Sequence, residues 1–464
     1  MTRRITGSHV YAHLKCPRMA ALDLVLPRDQ RRPPTPWEEF SLQRGRDFEA
    51  SHVRDLEGLV EPQYPPRDFE QGLAATLELM RTGVPWIFQG VLLAGDRLGL
   101  PDLMRRVEGK SALGAHHYEV VDVKSSGRAR SDQVLQVVFY SRLLARLQGR
   151  MPEHGALVLK DRSEQRFSVA DFVHACEEVE RDLERARAEP DAVEPFRQQA
   201  CEGCHWNHQC VPAMEQARDL SLLDGMSRGA RATLHRLGVR TVEDLAAFEP
   251  RGDQARGHLQ AALLNRLRKS AHAHLQHRFV RDGAPATRGL RPGAIVHLLR
   301  DAYADRVLWM GVLHPAARTG SIRDVMPASH EEEWPALLSL LQPLPRTVQV
   351  LHFGNELPRL HEKHAHRLQS VSGHESRFTE VGKRLRGAAL YPGPVATLAD
   401  LVRHGLGRDP HREGHAGACA MWLHEPGGAE RIARKGRMDL VDLADLLEAV
   451  LPENHVEVAV AADA

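Results

Sequence analysis

Tyr118-Glu119-Val120-Val121-Asp122-Val123-Lys124-Ser125-Ser126 is a run of β-branched residues closed off by polar ones, and it reads as a short buried strand. Two groups break its apolar pattern, Asp122 and Lys124. Residues two apart on a strand point to the same face. Glu119, three residues before Asp122, faces the opposite side and is expected to take no part. A carboxylate and an ammonium held at the end of a strand can serve metal-dependent hydrolysis. The carboxylate binds the cation, and the lysine positions a water or stabilises developing charge. Taken alone, the stretch reads first as a surface ion pair on an edge strand.

The surroundings of this strand follow from the same patterns. Upstream, 86–93 and 97–104 read as two strands joined by a turn at 94–96, with Asp102 after Pro101 at the end of an apolar run. Three consecutive strands in one meander then carry Asp102, Asp122 and Lys124 to one sheet. Downstream of Gly127 the period becomes helical, and Gln136 and Tyr140 fall on one face at i,i+4. A strand at 155–160 and a charged helix at 169–189 follow. Further upstream, 70–82 and 37–57 read as helices, the latter stopped by Gly58. The 37–57 helix carries Gly45, with Glu49 and His52 one turn apart on a shared face. A solvated amphipathic helix is the plainer reading of that segment. Residues 27–37 are rich in Pro and Arg and read as an exposed loop. At the N-terminus, Ser8 is the expected cap of a short helix that Pro17 ends, leaving Cys16 where helix gives way to loop.

The six cysteines are Cys16, Cys176, Cys201, Cys204, Cys210 and Cys419. Cys201-Glu202-Gly203-Cys204 followed by Cys210 places three thiols in a short loop, a metal-binding spacing. A fourth ligand is needed. Cys16 can supply it, or His205 or His208 would give a zinc site. Cys176 lies inside a helix with no cysteine at ligand spacing and reads as core.

Composition sets the outer limits. At 464 residues the chain should hold two or three domains. It is 42% hydrophobic and 27% charged, with no apolar run long enough to span a bilayer and no apolar segment behind Met1-Thr2-Arg3-Arg4. A cytoplasmic location is expected. The net charge of +1 gives no global field for nucleic acid, so any DNA-binding surface must be local. Only eight of the 62 basic residues are lysines, which makes Lys124 less ordinary at its position.

Asp102, then Asp122-Val123-Lys124, then Gln136-Val137-Val138-Phe139-Tyr140, resemble the PD-(D/E)XK pattern of RecB-like nucleases. Cys16 together with Cys201, Cys204 and Cys210 resembles the iron–sulfur version of that family. This version occurs in CRISPR-associated exonucleases and in the nuclease subunit of AddAB helicase–nucleases. The resemblance covers about residues 5–215. It implies a restriction-endonuclease-like α/β core in which Asp102, Asp122 and Glu49 hold Mg²⁺ or Mn²⁺. Lys124 would be the catalytic lysine, with Gln136 and Tyr140 lining the site. Glu49 falls four residues after Gly45, where the family often has an acidic residue or histidine, with His52 as the second choice. The four cysteines would hold a [4Fe–4S] cluster that clips together segments about 185 residues apart. Tying segments so distant removes unfolded-state entropy, so the cluster's expected role is structural.

The second half divides into 216–285 and 286–464. Two short helices with turns at Gly225 and Gly238 and a cap at Thr241 resemble a helix–hairpin–helix unit, and a plain helical linker fits equally. A basic helix is expected over 256–278. From 292 the pattern is α/β: strands at 294–299, 306–313 and 347–353, and a helix at 331–341. This resembles the ribonuclease-H-like segment found behind some RecB-like nucleases. Active members need a D-x-E pair on the first strand. Here that strand reads His297-Leu298-Leu299-Arg300 with only Asp301 following, although Glu356 and Asp442 match later carboxylate positions. The domain is therefore expected to be catalytically dead.

The sequence thus points to a metal-dependent deoxyribonuclease acting on single strands or duplex ends in repair, recombination or defence. No helicase motif is present, so an unwinding partner would be separate. Two other classes remain open: a non-catalytic nucleic-acid-binding scaffold, and a structural zinc protein using Cys201, Cys204, Cys210 and His208.

Overall fold

The computed structural model describes residues 3–249, 259–282, 293–301, 303–314, 322–345, 347–364, 378–411 and 416–450. The chain is mixed α/β and divides into two compact units. The first comprises the chain up to Phe196 together with Ala200–Val211; the second comprises Arg197–Gln199 and the chain from Pro212 onward. The expected middle segment, 216–285, and the expected terminal domain, 286–464, both lie in the second unit.

The first unit runs β1 (Ile5–Thr6), α1 (Gly7–Lys15), α2 (Pro17–Val25), α3 (Pro36–Val53), β2 (Leu59–Val60), α4 (Phe69–Thr82), β3 (Trp86–Phe88), β4 (Leu92–Ala94), β5 (Arg97–Gly99), β6 (Leu103–Ser111), β7 (Gly114–Val123), α5 (Ser131–Gln148), β8 (His154–Val158), β9 (Glu164–Ser168) and α6 (Val173–Ala188). It ends in the first turns of α7 (Asn207–Gln216). Six strands form one sheet in the order β2-β3-β6-β7-β8-β9. β6 and β7 are an antiparallel hairpin, and β7 pairs in parallel with β8 after the α5 crossover.

From His116 to Val123, β7 is buried on both faces, and its apolar side chains serve two cores. On one face Tyr118 and Val120 pack with Val134, Val137 and Val138 of α5. On the other, Val121 and Val123 pack with Leu103, Ala156 and Val158, covered by Phe48 and Val53 of α3. Gln148 fastens the end of α5 to the centre of β7: its Oε1 accepts from the Tyr118 amide at 2.8 Å, and its Nε2 donates to the Tyr118 carbonyl at 3.1 Å.

Several sequence expectations are corrected. The strands expected at 86–93 and 97–104 are each split in two. Gln89 adopts φ +47 and Pro101 has no N–H to give a ladder, so β4 and β5 peel away from the main sheet. They form a small three-stranded sheet with β1, and β3 pairs directly with β6. Thr6, not Ser8, precedes the first helix. Pro17 opens a second helix at its first position, where a missing N–H costs nothing, so Cys16 joins two helices. The α3 helix stops at Val53, four residues short of the expected 57.

In the second unit, α8 (Arg228–Arg236), α9 (Val242–Ala247) and α10 (Ala261–Leu275) come first. They close a core around Leu220, Leu234, Leu245, Leu264 and Leu267. Thr241 caps α9 reciprocally with Asp244, and Gly238 turns the chain at φ +83. Residues 256–258 of the expected basic helix lie outside the described residues. The rest comprises β10 (Val280–Arg281), β11 (Gly293–Asp301), β12 (Arg306–Leu313), β13 (Ile322–Val325), α11 (His330–Leu341), β14 (Gln349–His352), α12 (Glu356–Lys363), β15 (Phe378–Glu380), α13 (Gly382–Ala388), β16 (Ala389–Leu390), α14 (Leu398–Leu406), α15 (Cys419–Trp422) and α16 (Gly428–Val450). Its five-stranded sheet has the order β13-β12-β11-β14-β15. β12 runs antiparallel to both of its neighbours, β11 and β13, and β14 and β15 run parallel to β11. Among the described residues no helix is long and apolar enough to cross a membrane.

Candidate active site and four-cysteine site

The hairpin register decides the first site. Leu103 on β6 pairs with Val121 on β7, which brings Asp102 beside Asp122. The two carboxylates are tied to each other's backbone. The Asp102 amide donates to Asp122 Oδ1 at 3.2 Å, and the Val123 amide donates to Asp102 Oδ2 at 2.7 Å. Lys124 Nζ lies 2.5 Å from Asp122 Oδ2 and 4.0 Å from Asp102 Oδ2. Its own amide donates to the Val158 carbonyl at 2.8 Å, which fixes the strand end. Asp122 is 1% exposed, yet its Oδ2 accepts no well-directed hydrogen bond among the described residues.

The electrostatics follow from this crowding. Burial, and then the neighbouring Asp122, push the Asp102 carboxyl well above the usual range, with Lys124 pulling the other way. Burial disfavours the Lys124 ammonium, but Asp122 and Asp102 outweigh it and raise its pKa, so Lys124 stays charged. Glu49 is raised by burial and by Asp122, and it accepts a hydrogen bond from Gln89 Nε2 at 3.4 Å. On α5, Gln136 Nε2 donates to Tyr140 Oη at 3.0 Å. Burial and Asp122 raise the Tyr140 hydroxyl.

Asp102, Asp122, Lys124, Glu49 and Tyr140 therefore share one electrostatic neighbourhood, with Gln136 bonded into it. His52 does not join them; its charged neighbours are Arg162, Asp55 and Glu164. Glu119 lies apart, buried among Arg105, Arg166 and His154. Sequence reasoning missed Gln89, whose position follows from the Gln89-Gly90 break in an apolar run. It also missed the glycines that make room for Tyr140. A Cβ at Gly7 would overlap the tyrosine ring, and one at Gly99 would stand 2.9 Å from it.

The residues fit a divalent cation. Two adjacent carboxylates, one with an undirected buried oxygen and the other penalised by its neighbour's charge, are what a hard cation would relieve. Among the described residues no three His, Cys, Asp or Glu side chains stand close enough to hold a metal ion by themselves. Water and substrate oxygens would complete the shell, as is usual for Mg²⁺.

The second site gathers four cysteines. Cys16 sits at the α1–α2 junction, Cys201 ends a 3₁₀ turn, Cys204 follows in the loop and Cys210 lies in α7. The Cys204 thiol is pushed up to about 11, first by burial, with Cys16, Cys201 and Cys210 adding to it. Cys210 is raised by burial and by Cys16 and Cys201, against Arg18. The Trp206 amide donates to Cys204 Sγ at 3.4 Å. Buried Asp23 braces the loop, accepting from Trp206 Nε1 at 2.8 Å and Arg31 at 2.6 Å, with His205 Nε2 at 2.8 Å. His205 is thus engaged away from the sulfurs. Arg32 adds a further brace, donating to the Cys204 carbonyl at 3.2 Å and to both Glu38 oxygens at 2.7 and 2.6 Å. The thiols of Cys16 and Cys201 help raise those of Cys204 and Cys210, a mutual repulsion that a cationic group binding thiolates would relieve. Cys176 and Cys419 are buried elsewhere.

In the second unit the matching carboxylates each have another occupation. Asp301 Oδ1 accepts from the Tyr303 and Ala304 amides at 2.8 and 3.1 Å. Glu356 pairs with Arg300 at 3.2 Å and Arg359 at 3.4 Å, and Asp442 with Arg408 at 2.9 Å. His297 lies 3.5 Å from Asp439, which also pairs with buried Lys435.

No protein-family model matches the sequence, and no curated protein matches it.

Proposed function

We propose that the chain is a Mg²⁺- or Mn²⁺-dependent deoxyribonuclease of the RecB-like PD-(D/E)XK type. The observation that carries this reading is the interlocked trio: Asp102 and Asp122 each accept from the other's strand, with Lys124 between them. A divalent ion on these carboxylates would supply Lewis acidity at the phosphodiester. Lys124, held charged by its two neighbours, stabilises negative charge and does not act as a general base. The Gln136–Tyr140 pair and Glu49 line the site and orient the strand. The substrate is DNA with a free single-stranded or duplex end, processed as an exonuclease in repair, recombination or defence. A separate helicase would supply unwound strands.

The four cysteines are assigned to a [4Fe–4S] cluster with a structural role. A cubane places its own iron and sulfide atoms between its thiolates, so its ligands stand further apart than those of a single zinc ion. The engagement of His205 by Asp23 also favours an all-thiolate site over a zinc site completed by His205. The strand order of the second unit, three antiparallel strands followed by two parallel ones, supports a ribonuclease-H-like module. Its diverted carboxylates support the reading that it has lost catalysis and serves as a scaffold. Incubating end-labelled DNA with Mg²⁺ or Mn²⁺ and either wild type or Lys124→Ala tests the assignment. Products from wild type alone are expected; equal degradation by the variant would overturn it.

A further inference from the structure

A cleft of about 550 Å³ opens in the first unit between the end of α1 and the loop that leads from Lys124 into α5. Leu14 and Lys15 form one wall, and Arg128, Arg130, Ser131 and Asp132 the other. Its charge is unlike that of the chain, which is nearly neutral overall. Three cations line it against one carboxylate. That carboxylate is already engaged: Asp132 accepts from Arg130 at 2.8 Å and from the Gln133 amide at 3.0 Å. Lys15 lies over the Tyr11 ring at 4.1 Å, which holds its ammonium at the rim. Arg128 is exposed, and among the described residues no carboxylate pairs with it. Many other arginines in this unit are paired, among them Arg31, Arg32, Arg97, Arg105, Arg142 and Arg166.

We propose that this cleft seats the backbone phosphates of the nucleic-acid strand on one side of the bond being cut. The inference rests on the nuclease reading and extends it to a substrate path. Arg128 is four residues from Lys124, so even a fully extended loop keeps the two Cα atoms within about 14 Å. A strand whose phosphodiester sits at Asp102, Asp122 and Lys124 is thus within reach of the cleft. Guanidinium groups bind phosphate through two parallel hydrogen bonds, and an ammonium binds it as a point charge. Contacts of this kind set register and affinity while reading no bases. That suits an enzyme acting on strands of any sequence. The Lys15 wall also immediately precedes Cys16, so the four-cysteine clip holds one side of the path in place.

The test measures binding of a labelled oligothymidylate to the full chain, without divalent metal, across a salt series. Each phosphate contact on a single strand contributes about 0.7 to the slope of log K against log salt. The Lys15→Ala/Arg128→Ala double variant is expected to lower that slope by about 1.4, two such contacts. Its thermal midpoint should match wild type, and Arg128→Lys should restore part of the affinity. An unchanged slope and affinity in the double variant, with wild type binding and cutting normally, would overturn the cleft assignment and leave the nuclease reading standing. Wild type that neither binds nor cuts DNA would overturn both. Equal affinity of the cleft for a polyglutamate peptide would also contradict a phosphate-specific path.

Discussion

The chemistry of the first unit rests on how three side chains share charge. Asp102 and Asp122 crowd each other, and Lys124 partly offsets the crowding. This has a signed consequence for stability. The Asp102 carboxyl has its folded-state pKa raised above the unfolded value, so the folded state binds the proton more tightly. The stability this gives is fully present below the unfolded pKa and is lost as pH rises through the raised folded pKa. In the metal-free protein the Asp102 contribution should therefore fall as pH rises above about 4, so the pH slope of the thermal midpoint should differ between wild type and Asp102→Asn. A melting series in chelator checks it; parallel slopes for variant and wild type would contradict it. Asp122 and Lys124 were legible in the sequence because strand period and an interrupted apolar run fix their common face. Glu49 was reachable only by resemblance, since it comes from a helix whose docking no local pattern encodes. Gln89 was overlooked, because the Gln89-Gly90 break in an apolar run marks a bend but only the folded positive-φ backbone brings its amide to Glu49.

The helices decide whether these side chains stay in register. α1 lies so close to α5 that only glycine fits at position 7 beside Tyr140. Gly7→Ala should cost about 1–3 kcal/mol through overpacking and disturb the Gln136–Tyr140 bond. Thermal unfolding and a turnover assay read both effects; full activity with an unchanged midpoint would count against this packing. The junction at Cys16 shows how far the sequence carried. Its thiol was legible as a partner of the C-x2-C loop. The second helix beyond it was not, because a proline can end one helix or begin another, and only tertiary contacts choose. Cys16→Ala should give a colourless protein of lowered thermal midpoint, whereas Cys419→Ala, outside the site, should stay brown. A colourless wild type carrying zinc would contradict the cluster.

At the scale of the chain there are two α/β units, and the Asp102–Asp122–Lys124 trio belongs to the first. Three of the second unit's five sheet strands were legible as apolar runs, at 294–299, 306–313 and 347–353, whereas the short polar β13 and β15 and the strand order were not. The unit's internal ion pairs were not legible either, because partners such as Arg300 and Glu356, or Arg408 and Asp442, are far apart in sequence. These pairs occupy Glu356 and Asp442, the two carboxylates that the ribonuclease-H-like resemblance would assign to a metal site. A Glu356→Gln/Asp442→Asn double variant should therefore cut DNA at the wild-type rate, even if its stability falls. Loss of activity in a folded double variant would give the second unit a catalytic part.

The claim on which the account turns is that Asp122 belongs to a phosphodiester-cleaving metal site. Wild type and Asp122→Ala, compared with Mg²⁺ and with Mn²⁺ on single- and double-stranded DNA with free or blocked ends, test it directly. The account predicts metal-dependent shortening of free-ended DNA by wild type and none by a folded Asp122→Ala protein. Equal products from both proteins, or none from wild type on any substrate, would contradict it.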